Sequence, residues 1–318
     1  MNETNEKKKI LIVAGPTAVG KTQYAIELAE SLHGEIVSSD SMQLYKFMDI
    51  GSAKPTPEEL ARAKHHMVDE IDPREKFSVA LYQKKAKAYI DDILKRGKLP
   101  IISGGTGLYV NSLIYDMDFS APPEDSGYRA ELEGIAAEKG ELYLHQLLKD
   151  KSPEMAERIH PNNVKKVIRA LEAFKQSGED IPPFENSFVK TRDYSCILIG
   201  LERDRQELYD RVNLRVDKLI SLGLVEEVKG LMDMALTADS ISMKGIGYKE
   251  IIGYLEGEYD LERAIYLIKR NTRRYAKRQL TWFRRLSDMH WFNLSLYQSE
   301  DQAAEEILSW VKNEIKNL

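Results

Sequence analysis

The chain has 318 residues, 42% of them hydrophobic and 31% charged, which is the composition of a folded globular protein and not of a disordered or membrane-embedded one. No apolar run approaches the roughly eighteen residues of a membrane span, and the polar stretch Met1 to Lys9 makes no signal peptide, so a cytoplasmic protein is expected. A net charge of −5 runs against a nucleic-acid partner on average, which leaves the distribution of the cations to decide that question.

The length suits two domains or one domain with an insertion. Ile10 to Ala14 reads as a buried parallel strand, and Ala25, Leu28, Ala29 and Leu32 then fall on one helical stripe that Gly34 terminates. A short strand from Ile36 to Ser39 runs into Asp40, placing a carboxylate at a strand's C-terminal end, the edge at which open α/β sheets bind ligands. Ser78 caps a long helix with an inner stripe of Val79, Tyr82, Ala86, Tyr89 and Ile93, closed by Gly97. Leu99 to Ser103 is the next strand, ending in Gly104-Gly105-Thr106-Gly107. This alternation predicts an α/β fold, a P-loop NTPase-like parallel sheet with helices on both faces. From about Asp116 to Arg192 the pattern is helical only, flanked by Ala121-Pro122-Pro123 and Ile181-Pro182-Pro183, so an all-helical insertion domain is expected over residues 116–192 within a core of 1–115 and 193–318. Tyr194 to Leu201 returns to the sheet, carrying the single cysteine, Cys196, at an expected buried position. Asp204 and Glu207 have the spacing of a capping box ahead of the helix that holds Arg211 and Arg215.

Gly15-Pro16-Thr17-Ala18-Val19-Gly20-Lys21-Thr22 is a G-x-x-x-x-G-K-[ST] phosphate loop, placed after a strand and before a helix as that motif requires. Its glycines let backbone N–H groups turn around phosphate oxygens, the helix N-terminus adds positive potential, Lys21 supplies a point charge, and the Thr22 hydroxyl can ligate Mg²⁺. Such a loop ordinarily marks a kinase or NTPase. Those enzymes commonly end a second apolar strand in an Asp that helps to hold Mg²⁺, whereas Leu99-Pro100-Ile101-Ile102 runs into the uncharged Ser103-Gly104-Gly105-Thr106. For Asp40 three roles stand open: turn residue, Mg²⁺-associated carboxylate, or general base. Gln43 has the chemistry to contact a base edge, or simply faces water.

Between Lys269 and Arg285 there are eight basic residues, Lys269, Arg270, Arg273, Arg274, Lys277, Arg278, Arg284 and Arg285, and no acidic one. With Leu261, Ala264, Ile268, Tyr275 and Phe283 as a partial inner stripe, the cations are expected to face outward along a helix and to follow a phosphate backbone. Lys165, Lys166 and Arg169, opposite an inner stripe of Val164, Val167, Ile168 and Leu171, make a second and smaller patch. Arg211, Arg215 and Lys218 share a face at i, i+4 and i+7. Lys244-Gly245-Ile246-Gly247-Tyr248-Lys249 is a glycine-hinged basic loop whose aromatic ring can stack on a base. The six histidines have no metal-ligand spacing, and no Ser-His-Asp order or nucleophile elbow is present.

Taken in order, GPTAVGKT, SSDSMQLYKFMDIGSAKP, SGGTGLY, MKGIGYKE and TRRYAKRQLTWFRR closely resemble the bacterial tRNA dimethylallyltransferase family over most of the chain. The resemblance implies that Gly15 and Thr17 to Thr22 bind the diphosphate of dimethylallyl diphosphate, with Arg211 as a second cation and Mg²⁺ at Thr22. It implies that Asp40 is the general base, that Thr106 orients the attacking amine, and that Ser41, Met42 and Gln43 touch the target nucleotide. It further implies tRNA contacts from Lys165, Lys166 and Arg169 to the anticodon stem-loop, from Lys244, Gly245, Tyr248 and Lys249, and from Arg273, Arg274, Lys277 and Arg278 of the basic helix. The reaction implied is dimethylallyl transfer to the N6 amine of the adenosine 3′-adjacent to the anticodon; separately from the resemblance, a monomer is expected. Two departures are visible: Ser52 stands where the family usually has Thr, and Phe47 follows Lys46 where Arg-Gly is common. Three other readings remain: prenylation of free adenine nucleotides, a small-molecule P-loop kinase, and an RNA-binding module without catalysis.

Overall fold

The computed structural model describes residues 8–117, 119, 126–178 and 189–317, so the two proline pairs expected to flank the insertion lie outside the described residues. The chain divides into two compact units, one formed by the residues before 115 and after 190, the other by residues 115–190.

In the first unit β1 (Lys8–Ala14) leads into α1 (Lys21–Ser31), β2 (Gly34–Ser38), α2 (Pro57–Arg62), β3 (His65–His66), α3 (Val79–Lys95), β4 (Leu99–Gly104) and α4 (Gly107–Ile114). The second unit is α5 (Ser126–Lys139), α6 (Glu141–Lys151), α7 (Pro153–Arg158) and α8 (Val164–Ser177). The first unit resumes with β5 (Tyr194–Glu202), α9 (Arg205–Ser221), α10 (Leu224–Asp233), α11 (Tyr248–Leu255), α12 (Leu261–Phe283), β6 (His290–Asn293) and α13 (Glu300–Asn317).

The six strands form one sheet in the order β3-β2-β4-β1-β5-β6, with every neighbouring pair parallel. β1 sits between β4 and β5, and Ile10 to Ala14 are fully buried, as a strand covered on both faces must be. Leu11, Val13, Ile36, Ile101, Ile197 and Ile199 pack with Tyr24, Leu28 and Ala29 of α1 and Ile307 and Val311 of α13. Each such aliphatic side chain contributes about 1.5–3 kcal/mol on burial. The parallel arrangement brings the C-terminal ends of β1, β2 and β4, and hence the loops after Ala14, Ser38 and Gly104, to one edge. The second unit has its own core of Leu132, Leu144, Leu148, Met155, Val167, Ile168 and Leu171. No helix among the described residues is long and apolar enough to cross a membrane.

Ser78 accepts from the Leu81 N–H and opens α3 as expected, but the buried stripe is Tyr82, Ala86, Ile90 and Ile93, while Tyr89 is half-buried with its ring 4.6 Å from that of His66. Cys196 lies on β5 opposite Ile10 but is only half-buried, in contrast to Ile197 and Ile199 further along the strand. The capping box expected at α9 does not form: Asp204 accepts from the Asn293 side chain at 3.1 Å, and Glu207 binds Arg203 and Ser295 at 2.5 Å each.

Glu35 of β2 is 2% exposed and is bound by Arg96 (Nη2 to Oε2, 2.7 Å), Lys98 (2.8 Å) and His66 (2.8 Å). The Arg96 guanidinium, aided by Lys98 and His66, holds its carboxyl well below the ordinary 4.5 against the opposing effect of burial. A carboxyl depressed in the folded state adds stability that is present above 4.5 and is lost as pH falls below it. Glu35→Gln is therefore expected to lose about 3 kcal/mol at neutral pH and to show a shallower fall in Tm below pH 4.5 than the wild-type protein; equal slopes in thermal melts across that range would contradict the assignment.

Candidate active site

The phosphate loop leaves β1 at Ala14 and enters α1 at Lys21. Gly15 has φ +154°, and a Cβ there would lie 2.5 Å from the Leu201 carbonyl oxygen, so close packing against β5 requires glycine. Ala18 (φ 65°) and Gly20 (φ 113°) complete the turn, and the first turn of α1 has no acidic side chain to cancel its N-terminal potential. The loop's outer carbonyls are engaged by guanidinium groups: Arg203 Nε donates to Val19 O at 3.1 Å and Arg211 Nε donates to Ala18 O at 3.1 Å. Lys21 Nζ donates to Pro16 O at 2.8 Å. Burial pushes Lys21 down to about 8, with Asp40 opposing the shift and Arg215 adding to it.

A small polar cavity of about 80 Å³ opens beside this loop, lined among others by Thr17, Lys21, Thr22, Asp40, Arg215 and Gln279. Asp40 Oδ1 accepts from the N–H groups of Met42 (2.8 Å) and Gln43 (3.3 Å). One oxygen thus makes the turn, while Oδ2 has no hydrogen-bond partner among the described residues and remains available for chemistry. Thr106 Oγ1 accepts from the Ser41 N–H at 3.1 Å, and the Thr106 N–H donates to Ser39 O at 3.1 Å. The threonine therefore braces the Asp40-Ser41 turn from the β4 side. Tyr275 of α12 lines the same cavity, and burial, reinforced by Asp40, pushes its hydroxyl up to about 12, which keeps it neutral.

Arg215, not Arg211, is the α9 arginine that lines this cavity. Burial pushes its guanidinium down and the Asp40 carboxylate opposes that shift. Arg211, one turn earlier, has its Nε on the loop's outer carbonyl and an Nη1 3.8 Å from Glu300.

Thr17, Asp40, Arg215 and Tyr275 also line a second and larger cavity of about 470 Å³. Its wall is half apolar, with Met42, Tyr45, Phe77, Tyr109, Val216, Leu219, Ile241 and Ile268, and basic at Lys244, Lys249 and Arg278. Two loops forming this wall are latched by Glu227 of α10, whose carboxylate accepts from the N–H groups of Asp49 (2.8 Å), Ile50 (2.6 Å) and Gly51 (2.9 Å) and from the Tyr248 hydroxyl (2.8 Å). Tyr248 is fully buried by this arrangement, so its ring is not free to stack on a base as its loop position suggested.

Along α12 the cations divide. Lys269 pairs with Asp217 of α9 (2.6 Å), Arg273 donates to Asn213 (2.5 Å) and Arg284 pairs with Glu202 (2.9 Å), so these three bind the protein. Arg274, Lys277, Arg278 and Arg285 are exposed. On α8, Lys165 and Lys166 are exposed, while Arg169 lies 4.0 Å from the buried Glu172. Among the described residues no three His, Cys, Asp or Glu side chains cluster to hold a metal ion. Thr22 and Asp40 line one cavity, a sparse oxygen set that suits Mg²⁺ held mostly by substrate phosphates and water.

Sequence reasoning missed Gln279. Its Oε1 accepts from the Thr17 N–H (2.9 Å) and its Nε2 donates to Gly105 O (2.9 Å), joining the phosphate loop to the loop after β4. The available signal was the polar Gln279 within the expected inner stripe of Ile268, Tyr275 and Phe283, of which Tyr275 is only half-buried and lines both cavities. A Cβ on Gly105 would lie 2.2 Å from Gln279 Nε2. Gly105→Ala and Gln279→Leu are both expected to destabilise the protein by about 1–3 kcal/mol and to weaken inorganic diphosphate binding about tenfold, measured by denaturation and calorimetry. Wild-type affinity in both variants would contradict the bridging role.

Residues 43–286 match the family model described as IPP transferase. Over 312 residues the chain is 53% identical to a tRNA dimethylallyltransferase of Alkaliphilus oremlandii (strain OhILAs), covering 98% of this chain and 100% of that protein. Its structure is similar to that of the full-length tRNA isopentenylpyrophosphate transferase from Bacillus halodurans, with a TM-score of 0.74 and 44% identity over 98% of each chain. It is also similar to a eukaryotic dimethylallyltransferase acting on tRNA, with a TM-score of 0.83 and 27% identity over 98% of this chain and 80% of that one. With a matching model over well over half its length and relatives aligned end to end, the chain belongs to the IPP transferase family.

Proposed function

We propose that this protein transfers the dimethylallyl group of dimethylallyl diphosphate to the N6 amine of the adenosine 3′-adjacent to the anticodon in tRNA, releasing diphosphate. The observation that carries this reading is the position of Asp40, which lines both the small cavity containing Lys21 and Thr22 and the larger, half-apolar one. An anionic leaving group on one side and a flat base on the other meet at that carboxylate.

In this reading the loop N–H groups, Lys21 and Arg215 receive the negative charge that grows on the diphosphate as the allylic C–O bond breaks and its electron pair leaves with oxygen. The geometry favours Arg215 over Arg211 as the second cation, because Arg215 lines the cavity. The Thr22 hydroxyl is the group that would hold Mg²⁺, which when bound supplies further charge neutralisation on the diphosphate. The adenine nitrogen, a weak nucleophile because its lone pair is delocalised, forms the new C–N bond and gives an N–H proton to Asp40 Oδ2. Thr106, already accepting from the Ser41 N–H, keeps that carboxylate aimed. Ser41, Met42 and Gln43 would flank the base, which must leave its stack to reach the cavity.

The exposed Lys165 and Lys166 of α8 are read as anticodon stem-loop contacts, and Lys244, Gly245, Lys249, Arg274, Lys277 and Arg278 as further phosphate contacts. A monomeric cytoplasmic enzyme is the form that suits this work.

Three outcomes follow. Purified protein with Mg²⁺, dimethylallyl diphosphate and tRNA is expected to add one prenyl unit to adenosine by nucleoside mass spectrometry, with free AMP and γ-labelled ATP inert as acceptor and phosphate donor. Asp40→Asn is expected to lower the single-turnover rate by about 10²- to 10⁴-fold while leaving donor affinity within a few-fold; a wild-type rate would remove Asp40 from the chemistry. Because Lys21 is held near 8, its ammonium is already charged below that pH, and in the window above about 8 donor binding must recruit a proton. Donor affinity is therefore expected to fall as pH rises through that window, and Lys21→Arg to flatten the fall.

A further inference from the structure

The loop that follows Asp40 carries one side chain for which the site as described has no use. Phe47 is 53% exposed and, among the described residues, is the only phenylalanine so far out of the protein. Its backbone has φ +64°, the left-handed region that a bulky aromatic residue adopts at a penalty. Strain at a non-glycine residue is retained where the side chain is needed in that place.

The position is rigid. Tyr45 is 3% exposed and Met48 fully buried, so Phe47 is held between two anchored side chains. The Lys46 N–H donates to Ile71 O at 2.8 Å, and the next three free N–H groups after Met48 end on Glu227. Gln43 Nε2 donates to Ala53 O at 3.0 Å, closing the loop across its base. The same loop contributes Met42, Tyr45, Gly51 and Ser52 to the wall of the larger cavity, so the ring stands on a turn between stretches that form that wall. Lys46, its neighbour, is exposed and has no ion-pair partner among the described residues, unlike Lys54, which is bound by Asp49 and Asp69 at 2.5 and 2.7 Å.

We propose that Phe47 is a base-stacking platform: its ring receives an unpaired RNA base flanking the adenosine drawn into the cavity, and Lys46 meets the adjoining phosphate. This rests on the RNA-directed reading of the site and adds a specific contact to it. Base-on-aromatic stacking tolerates any base, because every base has a π-face, so the platform raises affinity for the single-stranded loop without choosing its sequence. A flat ring on a rigid turn gives up little conformational freedom when it stacks.

The test is equilibrium binding of a synthetic anticodon stem-loop, without donor, carrying 2-aminopurine in turn at each position beside the target adenosine. Wild-type protein is expected to quench the probe at one flanking position, and Phe47→Trp to keep both quenching and affinity. Phe47→Gly is expected to abolish the quenching and weaken binding about tenfold, while raising Tm by about 2 °C because glycine relieves the left-handed strain. Its affinity for inorganic diphosphate should stay unchanged. Hairpin binding by Phe47→Gly equal to wild type would overturn the platform alone. Failure of the wild-type protein to bind the hairpin would overturn the RNA-directed reading and the platform with it. Loss of self-association in Phe47→Gly, with RNA binding intact, would reassign the ring to a contact between copies.

Discussion

Gln279 is one buried carboxamide, and the site depends on it because it joins segments 262 and 174 residues away in the chain. An amide side chain offers one acceptor and two donors in fixed geometry, and here the acceptor takes the Thr17 N–H while a donor meets the Gly105 carbonyl. The phosphate loop, the loop after β4 and α12 are thereby set in one register. Tyr275, a turn earlier on α12, lines the same cavity as Asp40, and Thr106 braces the turn bearing that carboxylate. A shift of α12 would move all of these together, which suits a helix whose outer face carries Arg274, Lys277 and Arg278.

The charges in the site are arranged so that an anion has the most to offer. Lys21 and Arg215 are both pushed down by burial, and Asp40 compensates each only in part. Desolvated cations of this kind gain more from a phosphate than exposed ones, because less water must be displaced when the ligand arrives. The two oxygens of the Asp40 carboxylate differ: Oδ1 fixes the turn through Met42 and Gln43, while Oδ2 has no hydrogen-bond partner among the described residues and is the one the proposed mechanism uses. The turn reading and the base reading, rivals at the level of the motif, are compatible once the two oxygens are distinguished.

What the sequence made legible was local. The phosphate loop, Asp40 at the end of β2 and the Ser78 cap are each defined by residues within a few positions of one another, and they fold as their spacing dictates. What it hid was the choice among equivalent residues and the long-range partners. Arg211 and Arg215 share a helical face, and only the packing of α9 decides that the second lines the cavity while the first binds Ala18. Of the eight basic residues ending at Arg285, Lys269, Arg273 and Arg284 turn to partners on α9 and β5, which no local pattern could reveal. Tyr248 looked like a loop aromatic and is instead fully buried with its hydroxyl on Glu227, because Gly51 leaves room for its ring. The spacing of Asp204 and Glu207 was right for a capping box, but Asn293, Arg203 and Ser295 compete for the same carboxylates and win.

In the proposed mechanism the amides around Gly20, Lys21 and Thr22 hold an allylic diphosphate beside Asp40. Amide chemical-shift mapping with a non-cleavable dimethylallyl thiodiphosphate tests it most directly, with ATP as competitor. The largest shifts are expected on Gly20, Lys21 and Thr22, with a smaller set at Ser41 and Met42, and excess ATP is expected not to reverse them. Shifts centred elsewhere, or ready displacement by ATP, would contradict it.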